Sequence, residues 1–214
     1  MTEKKTRLAI IMLGAPGSGK GTQGEMLAEN TGFRRYVMSD LIKKELIPGT
    51  ELYDKLFKQG VLLSDADVFK IFRTQFEPED EVIIDGLPRT LDQAYWLYGF
   101  LMRGHYDIEL IFLNVNEDHL VERITSRFYC PQCLTLYNTK AKRPKVDGVC
   151  DQDGQNLIQR QDDTPEVFKE RLATFREVRD VILDVYHGDV IQVNGDQEID
   201  KVNREMMRKI IMRH

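Results

Sequence analysis

Short apolar runs rich in β-branched residues recur at Leu8 to Leu13, Glu81 to Asp85, Ile108 to Val115 and Val190 to Val193. Between them lie longer segments in which apolar residues return every three or four positions. Compact apolar runs suit buried strands and the three-to-four spacing suits amphipathic helices, so the alternation predicts an α/β fold, a parallel sheet wrapped by helices. A fifth strand is predicted at Arg34 to Val37. Helices are predicted at Gly19 to Thr31, Asp40 to Leu46, Glu51 to Gln59, Asp65 to Phe76, Leu91 to Arg103, Asp118 to Arg127, Pro165 to Tyr186 and Ile199 to Met212. Thr164 can cap the helix that opens with Pro165, and Asp196 to Glu198 put acidic groups near the start of the last one. From Phe128 to Asp163 no helical face can be drawn, and Cys, Gly and Pro interrupt the chain. That stretch is predicted to be an inserted small module outside the core.

At 214 residues the chain can bury a full α/β core, as one domain carrying one or two inserted subdomains. Its longest apolar runs are strand-sized and far short of a membrane span, and the charged segment Met1 to Arg7 is not followed by a signal-peptide core. A soluble, cytoplasmic protein is expected. Thirty basic against thirty-five acidic residues give a net charge of −5, which argues against a general affinity for nucleic acid. Any small polyanion must then be bound by locally gathered cations. Three cysteines, two of them as C-x-x-C, are too few for a secreted disulfide framework and point to metal or redox chemistry. No apolar stripe stands apart from helix packing, and a monomer is expected.

The chemistry is concentrated in four places. Gly14-Ala15-Pro16-Gly17-Ser18-Gly19-Lys20-Gly21-Thr22 lies between the first strand and the first helix. Glycines let consecutive N–H groups turn toward one anion, the helix start adds the positive end of its dipole, and Lys20 can reach the outer phosphates. The ligand predicted for Gly17, Ser18, Gly19, Lys20, Gly21 and Thr22 is a nucleoside triphosphate with Mg2+. Asp85-Gly86-Leu87-Pro88-Arg89-Thr90 follows the strand ending at Asp85, and ligands of parallel sheets gather at the carboxyl ends of strands. Asp85 is thus a candidate to hold the magnesium through the ion's waters; its plainer reading is a cap for the next helix. Arginines form the third group: Arg123 and Arg127 are four apart on one predicted helical face, while Arg160 and Arg171 flank the far edge of the inserted module. The fourth is Cys130-Pro131-Gln132-Cys133, sixteen residues, then Cys150-Asp151-Gln152-Asp153. Two such knuckles across a hairpin can present Cys130, Cys133, Cys150 and Asp153 tetrahedrally, as structural Zn2+ requires. Disulfide redox chemistry is the competing reading, but it wants its C-x-x-C at a helix N-terminus beside the sheet.

The loop G-x-P-G-x-G-K-G-T, with Thr22 one residue beyond the usual hydroxyl position, resembles that of the nucleoside monophosphate kinases, the adenylate kinases above all. The likeness runs from Leu8 to about Asp196. It implies a P-loop core at 1–37, 65–126 and 164–214, an acceptor-binding helical domain at 38–64 and a zinc-bearing lid at 127–163. It implies the reaction ATP + AMP ⇌ 2 ADP. D-G-x-P-R-T is similar to the family pattern in which Arg89 grips the acceptor phosphate and Gln93 reads the acceptor base. By the same resemblance Arg123 packs over the donor adenine with Leu136, Tyr137 and Gln197 nearby. Arg127 lies on phosphates, Arg160 and Arg171 close around the transferred group, and Lys20, Asp85 and Arg89 complete the catalytic set. Arg160-Gln161-Asp162-Asp163 is similar to the family's lid hinge, R-x-D-D.

The acceptor site departs most from the pattern. Where the family carries S-T-G-D-x-L-R, this chain has Val37-Met38-Ser39-Asp40-Leu41-Ile42-Lys43, so Met38 replaces Thr and Lys43 replaces Arg. Lysine keeps the charge but loses the planar fork, and weaker acceptor binding is expected. Leu87 replaces the usual Phe, whereas Leu63, Gly86 and Gln93 match. Two rival readings remain at this point: a kinase for UMP, CMP or GMP, and an ATP-binding regulator that has lost catalysis.

Overall fold

The computed structural model describes residues 6–46, 63–78, 80–133, 135–159 and 163–214. The predicted helix Glu51 to Gln59, the turn Gly60-Val61-Leu62 and Arg160 lie outside the described residues. Five parallel strands form one sheet in the order β2-β3-β1-β4-β7: β1 Arg7–Gly14, β2 Arg34–Val37, β3 Val82–Asp85, β4 Tyr106–Asn114 and β7 Val190–Asn194. The helices among the described residues are α1 Lys20–Thr31, α2 Met38–Glu45, α3 Asp65–Gln75, α4 Leu91–Arg103, α5 Glu117–Thr125, α6 Pro165–Val185 and α7 Ile199–Ile211. An antiparallel hairpin, β5 Arg127–Tyr129 with β6 Leu136–Asn138, leads into the inserted module.

Both faces of the sheet are covered, which is why its strands read as unbroken apolar runs. Ala9, Ile11 and Leu13 of β1 point to one face, into a core with Tyr36, Phe72, Ile84, Leu97, Ile182 and Tyr186. Leu8, Ile10 and Met12 point to the other, against Leu27 of α1 and Val202, Met206 and Ile210 of α7. Each aliphatic side chain buried this fully contributes on the order of 1.5–3 kcal/mol, so the two layers make a stiff platform. Tyr36, Phe72, Phe76, Trp96 and Phe100 extend the first layer as a chain of ring contacts, with Trp96 stacked on Phe100 at 5.0 Å.

Helix starts follow their capping chemistry. Ser64, Thr90, Asn116 and Thr164 each accept a hydrogen bond from a backbone N–H of the first turn they precede. One boundary differs in a way that matters. The helix expected to run to Arg127 ends at Thr125, so Arg123 and Arg127 do not share a helical face: Arg127 is the first residue of β5. The reason is tertiary. Asn138, across the hairpin, donates its side-chain amide to Arg123 O at 3.2 Å and to Ser126 Oγ at 2.9 Å, and Thr139 N donates to Ser126 O at 3.0 Å. The last turn's carbonyls find partners in the hairpin, and the helix has no need to continue. A smaller difference is α2, which starts at Met38 and not Asp40 because Met38 and Leu41, three apart, form its buried stripe.

The sheet positions the site by register. Met12 and Val37 both stand opposite Asp85, so the carboxyl ends of β1, β2 and β3 meet at one edge. α1 leaves β1 there and crosses to β2, on the far side of β3, opening the crevice where such sheets bind ligands.

Candidate active site

The loop between β1 and α1 turns tightly because its glycines allow it. Gly19, the residue before α1, has φ 96°, and a Cβ at Gly14 would stand 2.6 Å from Ser18 Oγ. Ser18 is buried, and its hydroxyl has no hydrogen-bond partner among the described residues. A buried orphan donor beneath a helix N-terminus fits a site built for an anion.

Lys20 opens α1, and its ammonium donates to Gly14 O at 2.6 Å and Ala15 O at 3.1 Å, which arches it over the loop. Burial lowers its pKa to about 8; Asp85 opposes the shift, and Arg89, Arg171 and Arg127 add to it. Lys20 thus feels one carboxylate and three arginines, each from a different element. Arg89 meets solvent but sits deep in the cleft, so desolvation by the surrounding protein lowers its pKa, reinforced by Arg171 and opposed by Asp85. Positive charge gathered in one cleft is a device for binding a polyanion.

Asp85 ends β3, is 7% exposed, and accepts a hydrogen bond from Arg35 Nη2 at 2.7 Å. A carboxylate beside the loop, with the Thr22 hydroxyl on the first turn of α1, supplies the hard oxygen donors that suit Mg2+. Arg123 donates to Gly195 O at 2.8 Å and to Ser18 O at 3.4 Å, tying the loop to the turn after β7. Arg127 forms a two-pronged ion pair with Asp163, including Nε to Oδ2 at 2.8 Å, and the carboxylate is fully buried. Asp163, the last residue of R-x-D-D, thus orients Arg127, while capping of the next helix falls to Thr164.

The acceptor-side residues are partly assembled. Gly86 lies against Met38 and Arg89: a Cβ there would be 3.4 Å from Met38 Cβ and 3.5 Å from Arg89 Nη2. Arg89 Nε donates to Gly86 O at 3.0 Å. Lys43 lies 4.0 Å from Asp40 on α2, and Leu63 packs against the main core. Gln93 is differently placed from a residue presented to a ligand. It is buried, its Oε1 accepts from Arg89 N at 2.7 Å, and its Nε2 donates to Asp65 Oδ1 at 2.7 Å. Asp65 also accepts from Thr90 Oγ1 at 3.0 Å, so the Arg89 turn is bolted to the start of α3.

On the donor side, strand alternation separates two neighbours. Leu136 reaches over the start of α1, with Cδ1 3.7 Å from where a Gly21 Cβ would be. Tyr137 points the opposite way, buried in the inserted module with its hydroxyl 3.5 Å from Cys150 Sγ. Its side chain serves the module and not the cleft. Gln197 is held by Asn194 O and Glu205, at 3.0 and 2.7 Å.

Within the module, one ligand atom from each of Cys130, Cys133, Cys150 and Asp153 lies within 4.8 Å of all the others. Donors about 2.3 Å from a common ion in tetrahedral array stand about 3.8 Å apart, so the cluster fits a metal after small adjustment. Cys133 and Cys150 sulfurs are 3.5 Å apart and all three cysteines are unbridged. The C-x-x-C lies on a hairpin loop, away from any helix N-terminus, which disfavours the redox reading. The backbone N–H of Gln155, then the Cys130 thiol, hold the Asp153 pKa down to about 2, whereas burial pushes Cys130 up to about 11. Buried thiols with an ionised carboxylate among them are the setting in which a cation stabilises the thiolates.

Arg35, Asp65 and Asp163 hold the predicted site residues Asp85, Gln93 and Arg127, and motif reading gave them no such role. Asp163 was visible within R-x-D-D; Arg35 was visible only as the neighbour of an inward-facing Tyr36, and Asp65 carried no signal beyond a helix start.

A family model described as adenylate kinase matches residues 12–191. Similar proteins named adenylate kinase occur in Oceanobacillus iheyensis, 37% identical over 206 residues spanning 92% of this chain and 96% of that one. Others are from Kosmotoga olearia, 35% identical over 212 residues (94% and 98%), and Chlamydia pneumoniae, 35% over 209 residues (94% and 96%).

Proposed function

This chain belongs to the adenylate kinase family, and on that premise we propose that it transfers the terminal phosphoryl group of Mg-ATP to AMP, giving two ADP. The observation that carries the reading in the molecule itself is the convergence of Lys20, Arg89, Arg127 and Arg171 on the loop beside Asp85. We assign residues 38–64 to acceptor binding, 127–163 to a lid and the remainder to the core.

The mechanism requires no general base. An acceptor phosphate has its second pKa near about 6 and is already ionised at pH 7. The loop N–H groups of Gly17 to Thr22 and the Lys20 ammonium hold the donor phosphates, Arg123 and Leu136 the donor nucleoside, and Arg89 the acceptor phosphate. Arg127, held by Asp163, and Arg171 meet the charge that spreads over the moving group. Asp85 and Thr22 would hold magnesium, which would supply positive charge against the donor phosphates. Closing the lid excludes water, which would otherwise compete as acceptor.

The Lys20 shift has a measurable consequence. At pH 8 about half of this lysine is neutral, and a bound triphosphate restores its proton, so ATP binding at that pH should take up about half a proton. Uptake should vanish below pH 6.5, and affinity should weaken as pH rises through 8. Titration calorimetry in two buffers of different ionisation enthalpy reads this directly, and equal heats in both buffers at pH 8 would refute it.

We assign the lid metal as zinc, with Cys130, Cys133, Cys150 and Asp153 as ligands. We also propose a monomer working in the cytoplasm; no helix among the described residues is long and apolar enough to cross a membrane. The acceptor base rests on the least regular part of the site, since Met38 lacks a hydroxyl and Gln93 is engaged by Asp65. The deciding experiment incubates the protein with Mg-ATP and each of AMP, GMP, CMP, UMP and dTMP and follows diphosphate formation by chromatography. Highest kcat/KM with AMP is expected. A better acceptor among the other four would move the specificity, and silence with all five would overturn the catalytic reading.

A further inference from the structure

Arg35 occupies a slot that the fold makes for it. On β2, Tyr36 turns into the aromatic core, which sends Arg35 to the opposite face, beneath α1 and toward the carboxyl end of β3. The helix there is bare: Gly21 and Gly24 face the guanidinium, and a Cβ at Gly24 would approach Arg35 Nε to 3.1 Å. The side chain is 20% exposed, its Nη2 is 2.7 Å from Asp85 Oδ2, and its Nε is buried without a partner among the described residues. A permanently charged group is therefore fixed against the carboxylate assigned to magnesium, with part of its donor capacity unused.

We propose that Arg35 is a positioning residue that tethers Asp85 and sets how strongly the enzyme prefers Mg-ATP over metal-free ATP. The inference rests on the assignment of Asp85 to the nucleotide's magnesium. A guanidinium and a divalent cation compete for the same carboxylate and repel each other at this range, in a site shielded from water. Arg35 therefore weakens the hold on the metal-bearing nucleotide and favours the fully charged metal-free one. Lysine at the same place would keep the charge and lose the fork; glutamine would keep a hydrogen-bond donor for Asp85 and lose the charge.

The test measures dissociation constants of Mg-ATP, and of ATP in EDTA, by titration calorimetry for the wild type, Arg35→Gln, Arg35→Lys and Asp85→Asn. In Arg35→Gln the preference for Mg-ATP should rise about tenfold, metal-free ATP binding more weakly and Mg-ATP no worse. Arg35→Lys should stay within about twofold of the wild-type preference, since charge and not shape is at issue. Parallel changes in both constants for Arg35→Gln would reduce Arg35 to a strut under α1 and overturn the proposal. Should Arg35→Gln fail to fold, Arg35→Met, also uncharged, takes its place: a selective tenfold rise in Mg-ATP preference supports the proposal, and parallel changes in both constants overturn it. Asp85→Asn isolates the premise. Loss of the magnesium preference in that variant supports the Asp85 assignment whatever Arg35 does, and an unchanged preference overturns both.

Discussion

Replacing Lys20 by Met should lower kcat/KM by about 10³-fold while leaving the fold intact. The thioether stem keeps nearly the same volume on α1, so the contacts of the loop change little. What disappears is the ammonium that arches over the loop, donating to Gly14 O and Ala15 O. A preorganised donor aimed at developing charge is typically worth about 10²–10³ in rate, and the water-shielded setting places Lys20 at the upper end. Stability should move the other way. The folded protein lowers this lysine's pKa to about 8 from 10.5, so holding its proton costs stability below pH 8, and the cost fades as pH rises toward 10.5. Lys20→Met should therefore melt no lower than the wild type at pH 7, with its advantage shrinking above pH 9. Steady-state kinetics with thermal melts at both pH values check this, and near-normal turnover would remove Lys20 from the mechanism.

Removing the lid metal should have the second-largest effect. The module's own apolar cluster is Cys130, Tyr137 and Cys150, with Phe128, Cys133 and Leu157 against it, which is too small to hold a separate unit of chain together. Structural zinc contributes on the order of 10 kcal/mol to units of this kind. Protein purified without chelator should carry one zinc per chain by atomic absorption, with its three thiols protected. Strong chelation should expose all three to a thiol reagent and release amide protection in β5 and β6. Activity should fall with it, because Arg127 begins β5. The five-stranded sheet should keep its own melting transition, since its two cores share no side chain with the module. Metal-free protein with freely titratable thiols in the native state would defeat the assignment.

Residues that act within one continuous segment were legible from spacing. The phosphate loop is nine neighbours whose glycines dictate the turn, and the strands declared themselves because both sheet faces are buried. The cysteine knuckles were legible too, as Cys130, Cys133, Cys150 and Asp153 do converge. Helical spacing misled at Arg127, because the helix stops where Asn138 satisfies its final turn. It was also silent about the direction of side chains: Tyr137 faces Cys150, and Gln93 is spent on Arg89 and Asp65.

By itself, then, the sequence determined the class of sheet, the glycine-rich turn, the quartet of three cysteines and Asp153 and the identity of the cations, since each depends on backbone conformation or on spacing along a short stretch. Tertiary structure alone decided which partners those groups have. Arg35 meets Asp85 across 50 positions, and Arg127 meets Asp163 across 36, because strand order and hairpin register bring them together, and no local pattern encodes a distance through space.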